Sequence, residues 1–271
     1  FGIYLPVLRE IGKTSAIQSV VLACGTHLET SYGNTAHEIE QAGIRITHRV
    51  KTFAGAETPT NICRSMEKTI SGFSKVFSKD RPDILLVLGD RYETLAIASI
   101  ALIHNIPIIH LCGGELTYGA IDDAIRHSIS KMATIHCVAN QEYAKRVIQL
   151  GEASEFVYTV GGMGVDAISD TETLTKDELQ CDLNFEFNKR NLLVTFHPTT
   201  TKYGSAENDF QELLTALENF KDINLIFTMP NADAESDSLI GLIRDFVANR
   251  ANSIFIKSLG QKKYYSALKI V

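Results

Sequence analysis

Apolar residues along this chain recur at two alternating periods. Residues 20–23, 84–88, 107–111 and 134–139 read as strands, and the run at 84–88 is continuously apolar, as a helix-covered parallel sheet requires. Residues 44–50 and 156–160 read as two more strands. Between them the period lengthens: Ile62, Met66, Ile70, Phe73 and Phe77 fall on one helical face, and helices are expected at 93–104, 121–132 and 141–150. Gly161-Gly162-Met163-Gly164 then breaks the pattern, followed by an acidic, threonine-rich stretch at 170–177 that reads as a hinge. Beyond it the alternation restarts, with strands at 192–196, 224–228 and 253–256 and helices at 207–220 and 236–248. The pattern predicts an α/β protein of two Rossmann-like domains, 1–165 and 166–271, with a cleft between them. Residues 267–271 read as a strand without a successor, and 1–11 as a helix with no strand before it. Both ends therefore read as cut, and the second domain as incomplete.

Composition narrows the function. With 271 residues, 45% hydrophobic and 21% charged, the chain suits a soluble globular protein with a sizeable core. A net charge of −6 disfavours nucleic acid as the main partner, while leaving small anionic ligands open. The five cysteines, Cys24, Cys63, Cys112, Cys137 and Cys181, are odd in number and widely spaced without C-x-x-C, so reduced thiols are expected. No apolar run approaches the roughly 20 residues of a membrane span. Neither G-x-G-x-x-G nor a P-loop occurs, which disfavours NAD and P-loop nucleotide chemistry.

Ionisable residues gather where apolar strands end, the edge at which open α/β sheets bind ligands. Gly89-Asp90-Arg91 closes one strand: glycine permits the turn, Asp90 offers a base, and Arg91 a clamp for phosphate. The alternative makes Asp90 a helix cap and Arg91 its salt-bridge partner. His110, Glu115, Asp122, Asp123 and His127 form a second group, with Gly113-Gly114 allowing close approach of backbone to a ligand. Arg126 lies four residues after Asp122 and His127 four after Asp123, spacings that also suit helix-surface pairs. The spacing fits no standard metal-ligand motif, so no metal is expected. In the second half, His197, the segment 230–233 and the segment 257–260 close successive strands. His27, His37, His48, His104 and His136 lack such settings and read as structural.

Five ordered motifs carry a family resemblance. They are Gly89-Asp90-Arg91-Tyr92-Glu93, His110-x-x-Gly113-Gly114-Glu115, the stretch from Gly119 to Met132 with Asp122-Asp123-x-x-Arg126-His127, Phe196-His197-Pro198, and Met229-Pro230-Asn231-Ala232-Asp233. Together they resemble the hydrolysing UDP-N-acetylglucosamine 2-epimerases of sialic- and legionaminic-acid biosynthesis. The resemblance implies the two-domain fold of B-type glycosyltransferases, with the family's first strand just before Phe1 and its Gly-Asn-Ser-Ser motif just after Val271. It implies anti elimination of UDP to a 2-acetamidoglucal, then hydration to N-acetylmannosamine. Asp90, Glu115, Asp122 and Asp123 become the acid/base candidates. Arg91, His197 and Asn231 become UDP contacts, with the backbone near Ser258 and Leu259 around the uracil. No cofactor is implied; the partner is a small UDP-sugar, the assembly a homodimer or tetramer, the location cytoplasmic. Some relatives carry a carboxylate where this chain has Cys112, which leaves Glu115 as the substitute. The same reaction on UDP-N,N′-diacetylbacillosamine, a non-hydrolysing 2-epimerase and a non-catalytic UDP-sugar-binding protein are the alternatives.

Overall fold

The computed structural model describes residues 1–55, 58–197, 204–229 and 236–271. The chain forms two compact units, Phe1–Ala167 and Ile168–Val271. Each is a Rossmann-like layering of helices on parallel strands.

In the first unit, β1 (Val21–Cys24) and β2 (Ile46–Val50) pair in parallel, and β3 (Leu85–Leu88), β4 (Ile108–Leu111), β5 (Ile135–Val138) and β6 (Val157–Thr159) form a parallel sheet in that order. The helices are α1 (Leu5–Gly12), α2 (Ala36–Gln41), α3 (Pro59–Lys79), α4 (Tyr92–Ile103), α5 (Asp122–Met132) and α6 (Gln141–Gln149). Helix α3 begins at Pro59 behind Thr58, whose hydroxyl accepts from the Asn61 N–H, as an N-cap should. Its buried Phe73 and Phe77 meet Val87, Ile100, Ile108 and Ile129 in the main core.

In the second unit, β7 (Asn191–Val194), β8 (Asn224–Thr228) and β9 (Ser253–Ile256) are parallel, with β8 central and buried at every position. Helices α9 (Ala206–Glu218) and α10 (Ser236–Ala248) cover one face, where Phe210, Leu214, Phe227 and Leu239 pack. Leu179, Phe187, Ile226 and Leu259 form a second cluster.

The expected strands lie within a residue or two of the observed ones. Four helices were not anticipated. Helix α2 is only six residues long, too short for periodicity to register. Helix α7 (Met163–Asp170) starts inside the glycine-rich segment. Helix α8 (Lys176–Leu183) starts inside the stretch read as a hinge, opened by a full capping box from Thr175 and Glu178. Residues 267–271 are no strand: Ala267 and Leu268 end helix α11 (Gly260–Leu268), and the buried Ser266 and Ala267 face the second cluster. A short apolar run cannot by itself separate a strand from the last turn of a helix.

Candidate active site

Strand β3 ends at Gly89, whose φ of +77° turns the chain so that Asp90 leaves the sheet edge. Asp90 is not the helix cap. Arg91 holds that position with extended backbone, and the Asp90 carboxylate reaches α5 instead, where it pairs with the Arg126 guanidinium. Arg126 shares the inward stripe of α5 with Ile129 and Ser130, and its side chain is 7% exposed. Its Nη1 donates to Thr117 Oγ1 at 2.9 Å, and the Thr117 N–H donates to Asp123 Oδ1 at 2.9 Å. Asp123 Oδ2 in turn lies 3.8 Å from His127 Nε2. The pairing expected between Asp122 and Arg126 is thus replaced by one with Asp90, because an arginine on the buried face needs an anion that the fold draws in beside it. The Nε of Arg126 is buried without a hydrogen-bond partner.

Asp90 and Glu115 both feel the charge of this one cation. Burial raises the pKa of Asp90 against the attraction of Arg126, and Asp122 adds to the rise. Burial also raises Glu115, opposed by Arg126 and reinforced by Asp90. The Cys112 thiol is pushed up to about 11 by burial, then by Glu115. Cys112 therefore stays a neutral thiol at physiological pH, and it sits at φ +62°, a left-handed conformation unusual for a side-chain-bearing residue. Carboxylates raised in this way hold a proton more readily, as general acids and bases near neutral pH need to.

His110 braces the arrangement from beneath. Its Nε2 lies 2.8 Å from the Gly89 carbonyl, which can only accept, so Nε2 carries the proton; Nδ1 accepts from Ser130 Oγ at 3.1 Å. Burial lowers its pKa to about 4. Gly113 and Gly114 have a packing reason. A Cβ on Gly113 would lie 3.2 Å from both His110 Nδ1 and Ser130 Oγ, and one on Gly114 would overlap the Tyr143 carbonyl of α6. Arg146 of α6 also donates to the Gly114 carbonyl. His136, beside His110 in register, is buried against Glu152, which also pairs with Lys131.

Arg91 contacts Glu93, with Nε 3.4 Å from Oε2, and stacks over the Tyr92 ring. In the second unit, His197 follows β7 and is exposed. Ser258 is exposed and its Oγ accepts from the Gly260 N–H at 3.3 Å, whereas the Leu259 side chain is buried, leaving only its backbone for a ligand. Asn231 lies outside the described residues. Among those described, no group of three or more His, Cys, Asp or Glu is placed to hold a metal ion, and no helix is long and apolar enough to cross a membrane. Sequence reasoning missed the joining roles of Arg126 and Thr117. The helical spacing of Arg126 to Ile129 and Ser130 was the available signal for the first; nothing local marked the second.

The family model described as UDP-N-acetylglucosamine 2-epimerase matches residues 9–271. The chain is 36% identical over 263 residues to a Campylobacter jejuni protein named GDP/UDP-N,N′-diacetylbacillosamine 2-epimerase (hydrolyzing), covering 97% of this chain and 68% of that protein. It is 37% identical to polysialic acid biosynthesis protein P7 of Escherichia coli, covering 91% of this chain and 63% of the relative, a little under two thirds of that relative's length. The fold matches the crystal structure of a Neisseria meningitidis UDP-GlcNAc 2-epimerase with a TM-score of 0.84 at 18% identity, covering 99% of this chain and 72% of that one. With strand-end carboxylates gathered on one arginine and a family match over nearly its whole length, the chain belongs to the UDP-N-acetylglucosamine 2-epimerase family.

Proposed function

We propose that this protein is a hydrolysing 2-epimerase that converts UDP-N-acetylglucosamine to free N-acetylmannosamine and UDP. The observation that carries this reading is the placement of Asp90 and Glu115, both raised by burial, around the single buried Arg126 at the strand ends of the first unit. Inversion at C2 needs two protonic groups, one to take a proton and one to return it on the opposite face. Asp90, Glu115, Asp122 and Asp123 supply the candidates. A carboxylate takes the C2 proton, the C2–H electron pair becomes the C1=C2 bond, and the C1–O bond breaks with its electrons leaving on UDP. Water then adds its oxygen at C1, losing a proton to a carboxylate, as a protonated carboxylate delivers a proton to C2. Arg91 neutralises the departing diphosphate, a role that its fixed positive charge and fork of donors suit. Within the second unit, His197, Asn231 and the backbone at Ser258–Leu259 are the candidate UDP contacts.

Proton NMR of the full chain with UDP-N-acetylglucosamine in D2O tests this directly. Free UDP and deuterium at C2 of the released sugar are expected. Epimerised sugar still bearing UDP would replace the reading with non-hydrolysing epimerisation, and saturable UDP binding without turnover would replace it with a binding role. A second substrate, UDP-N,N′-diacetylbacillosamine, is favoured by the names of the Campylobacter jejuni relative and of a Legionella pneumophila relative 30% identical to this chain. The ratio of kcat/KM for the two UDP-sugars decides between them.

A further inference from the structure

A second group of polar side chains gathers where β1 ends, outside the carboxylate cluster around Arg126. Gly25 follows β1 with φ +62° and is buried, its N–H donating to Thr52 Oγ1 at 2.9 Å. A Cβ on Gly25 would lie 3.3 Å from Oε1 of Glu93. The first turn of α4 thus folds this carboxylate back against the end of a strand from another sheet, and the Glu93 side chain is only 14% exposed. A glutamate serving the helix dipole alone gains nothing from such burial, because it does that work fully solvated. His27 stands in the helical turn Gly25–Leu28, its Nδ1 fixed 2.6 Å from Thr35 Oγ1. Burial lowers the pKa of His27, so the ring is neutral near pH 7, and the Glu93 charge acts on both His27 and Cys24. Arg91 joins this group to the other: it follows Asp90 in the chain and contacts Glu93.

We propose that His27 and Glu93, presented on either side of the Gly25 turn, form the subsite that recognises the polar ring substituents of the hexose away from C2. This inference rests on the UDP-sugar reading above. The carboxylate accepts from a hydroxyl or an acetamido N–H, while the neutral imidazole, its Nδ1 held by Thr35, offers its Nε2 to one further hydroxyl. Gly25, with no Cβ, lets the Glu93 carboxylate pack close against the turn that carries His27. With Arg91 on the diphosphate, its neighbour Glu93 is within reach of the hexose linked to that diphosphate.

The test compares Glu93→Gln and His27→Phe with the unaltered full chain, measuring KM for UDP-N-acetylglucosamine and the inhibition constant of UDP, which lacks the sugar. Each variant is expected to raise KM roughly tenfold or more, the loss of a hydrogen bond in a buried site, and His27→Phe, which leaves the Arg91–Glu93 pair in place, to change the UDP constant less than twofold. Arg91→Ala is expected to raise the UDP constant as well. Equal rises in both constants, or an unchanged KM, overturn the proposal. Should Glu93→Gln lower the melting temperature, His27→Phe carries the same comparison alone. Failure of the unaltered chain to release UDP would sink the epimerase reading itself, a result distinct from turnover that the two variants leave unmoved.

Discussion

Arg126 concentrates the chemistry of the first unit in one side chain. Two of its nitrogens reach residues from different loops, Asp90 and Thr117, so a point charge cannot replace it. Arg126→Lys is expected to lower UDP release about tenfold to a hundredfold with modest loss of stability. Arg126→Ala should cost about 1–3 kcal/mol in urea unfolding, since it leaves a half-buried carboxylate unpaired, and should reduce turnover further. Unchanged turnover in both variants would remove Arg126 from the site. The thiols give a second check at this scale. Burial pushes Cys24 up to about 12 and Cys112 to about 11, while Cys63 and Cys181 are exposed. Iodoacetamide at pH 7.5 is therefore expected to label Cys63 and Cys181 first, as mass spectrometry would read, because thiolate is the reactive form. Candidate positions could be picked from the chain, since Asp90 and Glu115 follow abrupt ends of apolar runs and Asp122 and Asp123 open a helix. Partners could not. Arg126 meets Asp90, 36 residues away, rather than the neighbour four residues back that local spacing offered.

At the scale of elements, glycines separate turn geometry from packing. Gly89 and Gly114 share φ +77°, yet a Cβ meets nothing within 4 Å at Gly89 and overlaps the α6 backbone at Gly114. Gly89→Ala should cost about 1 kcal/mol, the strain of a left-handed alanine. Gly114→Ala should cost well over that, because α6 has to shift, and urea midpoints compare the two directly; equal costs would contradict the close packing of α6. The same contrast corrects the reading of Gly113-Gly114 as a ligand cradle: both spaces are filled by the protein's own atoms. Longer elements announced themselves through periodicity. Helix α8 did not, because its signal was the Thr175–Glu178 box inside a stretch whose acids and threonines resembled a linker.

Across the whole molecule, acid is the condition that two buried imidazoles make costly. The folded pKa of His110 is about 4 against an ordinary 6.5, and burial lowers His136 too. A depressed histidine binds its proton more weakly in the folded state, so its contribution is complete above about pH 6.5 and is lost as pH falls toward 4. The slope reaches about 1.4 kcal/mol per pH unit for each fully responsive group. The melting temperature is expected to be flat above pH 7 and to fall between 6.5 and 4, with His110→Asn falling less steeply over that window. Parallel curves would show that His110 is not a source of the acid sensitivity. Two α/β units were readable from alternating periods alone, but which buried histidines face which carbonyls depends on strand register, and register is not written in any short segment.

Thr117 has a consequence for how this protein tolerates change. Insertions usually do least harm in surface turns. Here the segment between Glu115 and Asp122 is moored amid its length, backbone to one acid and hydroxyl to the guanidinium. Lengthening it by even one residue on either side of that mooring would unseat both attachments together. A stretch whose exposed Tyr118 gives it the look of a free rim is therefore tied at Thr117 to the carboxylate cluster.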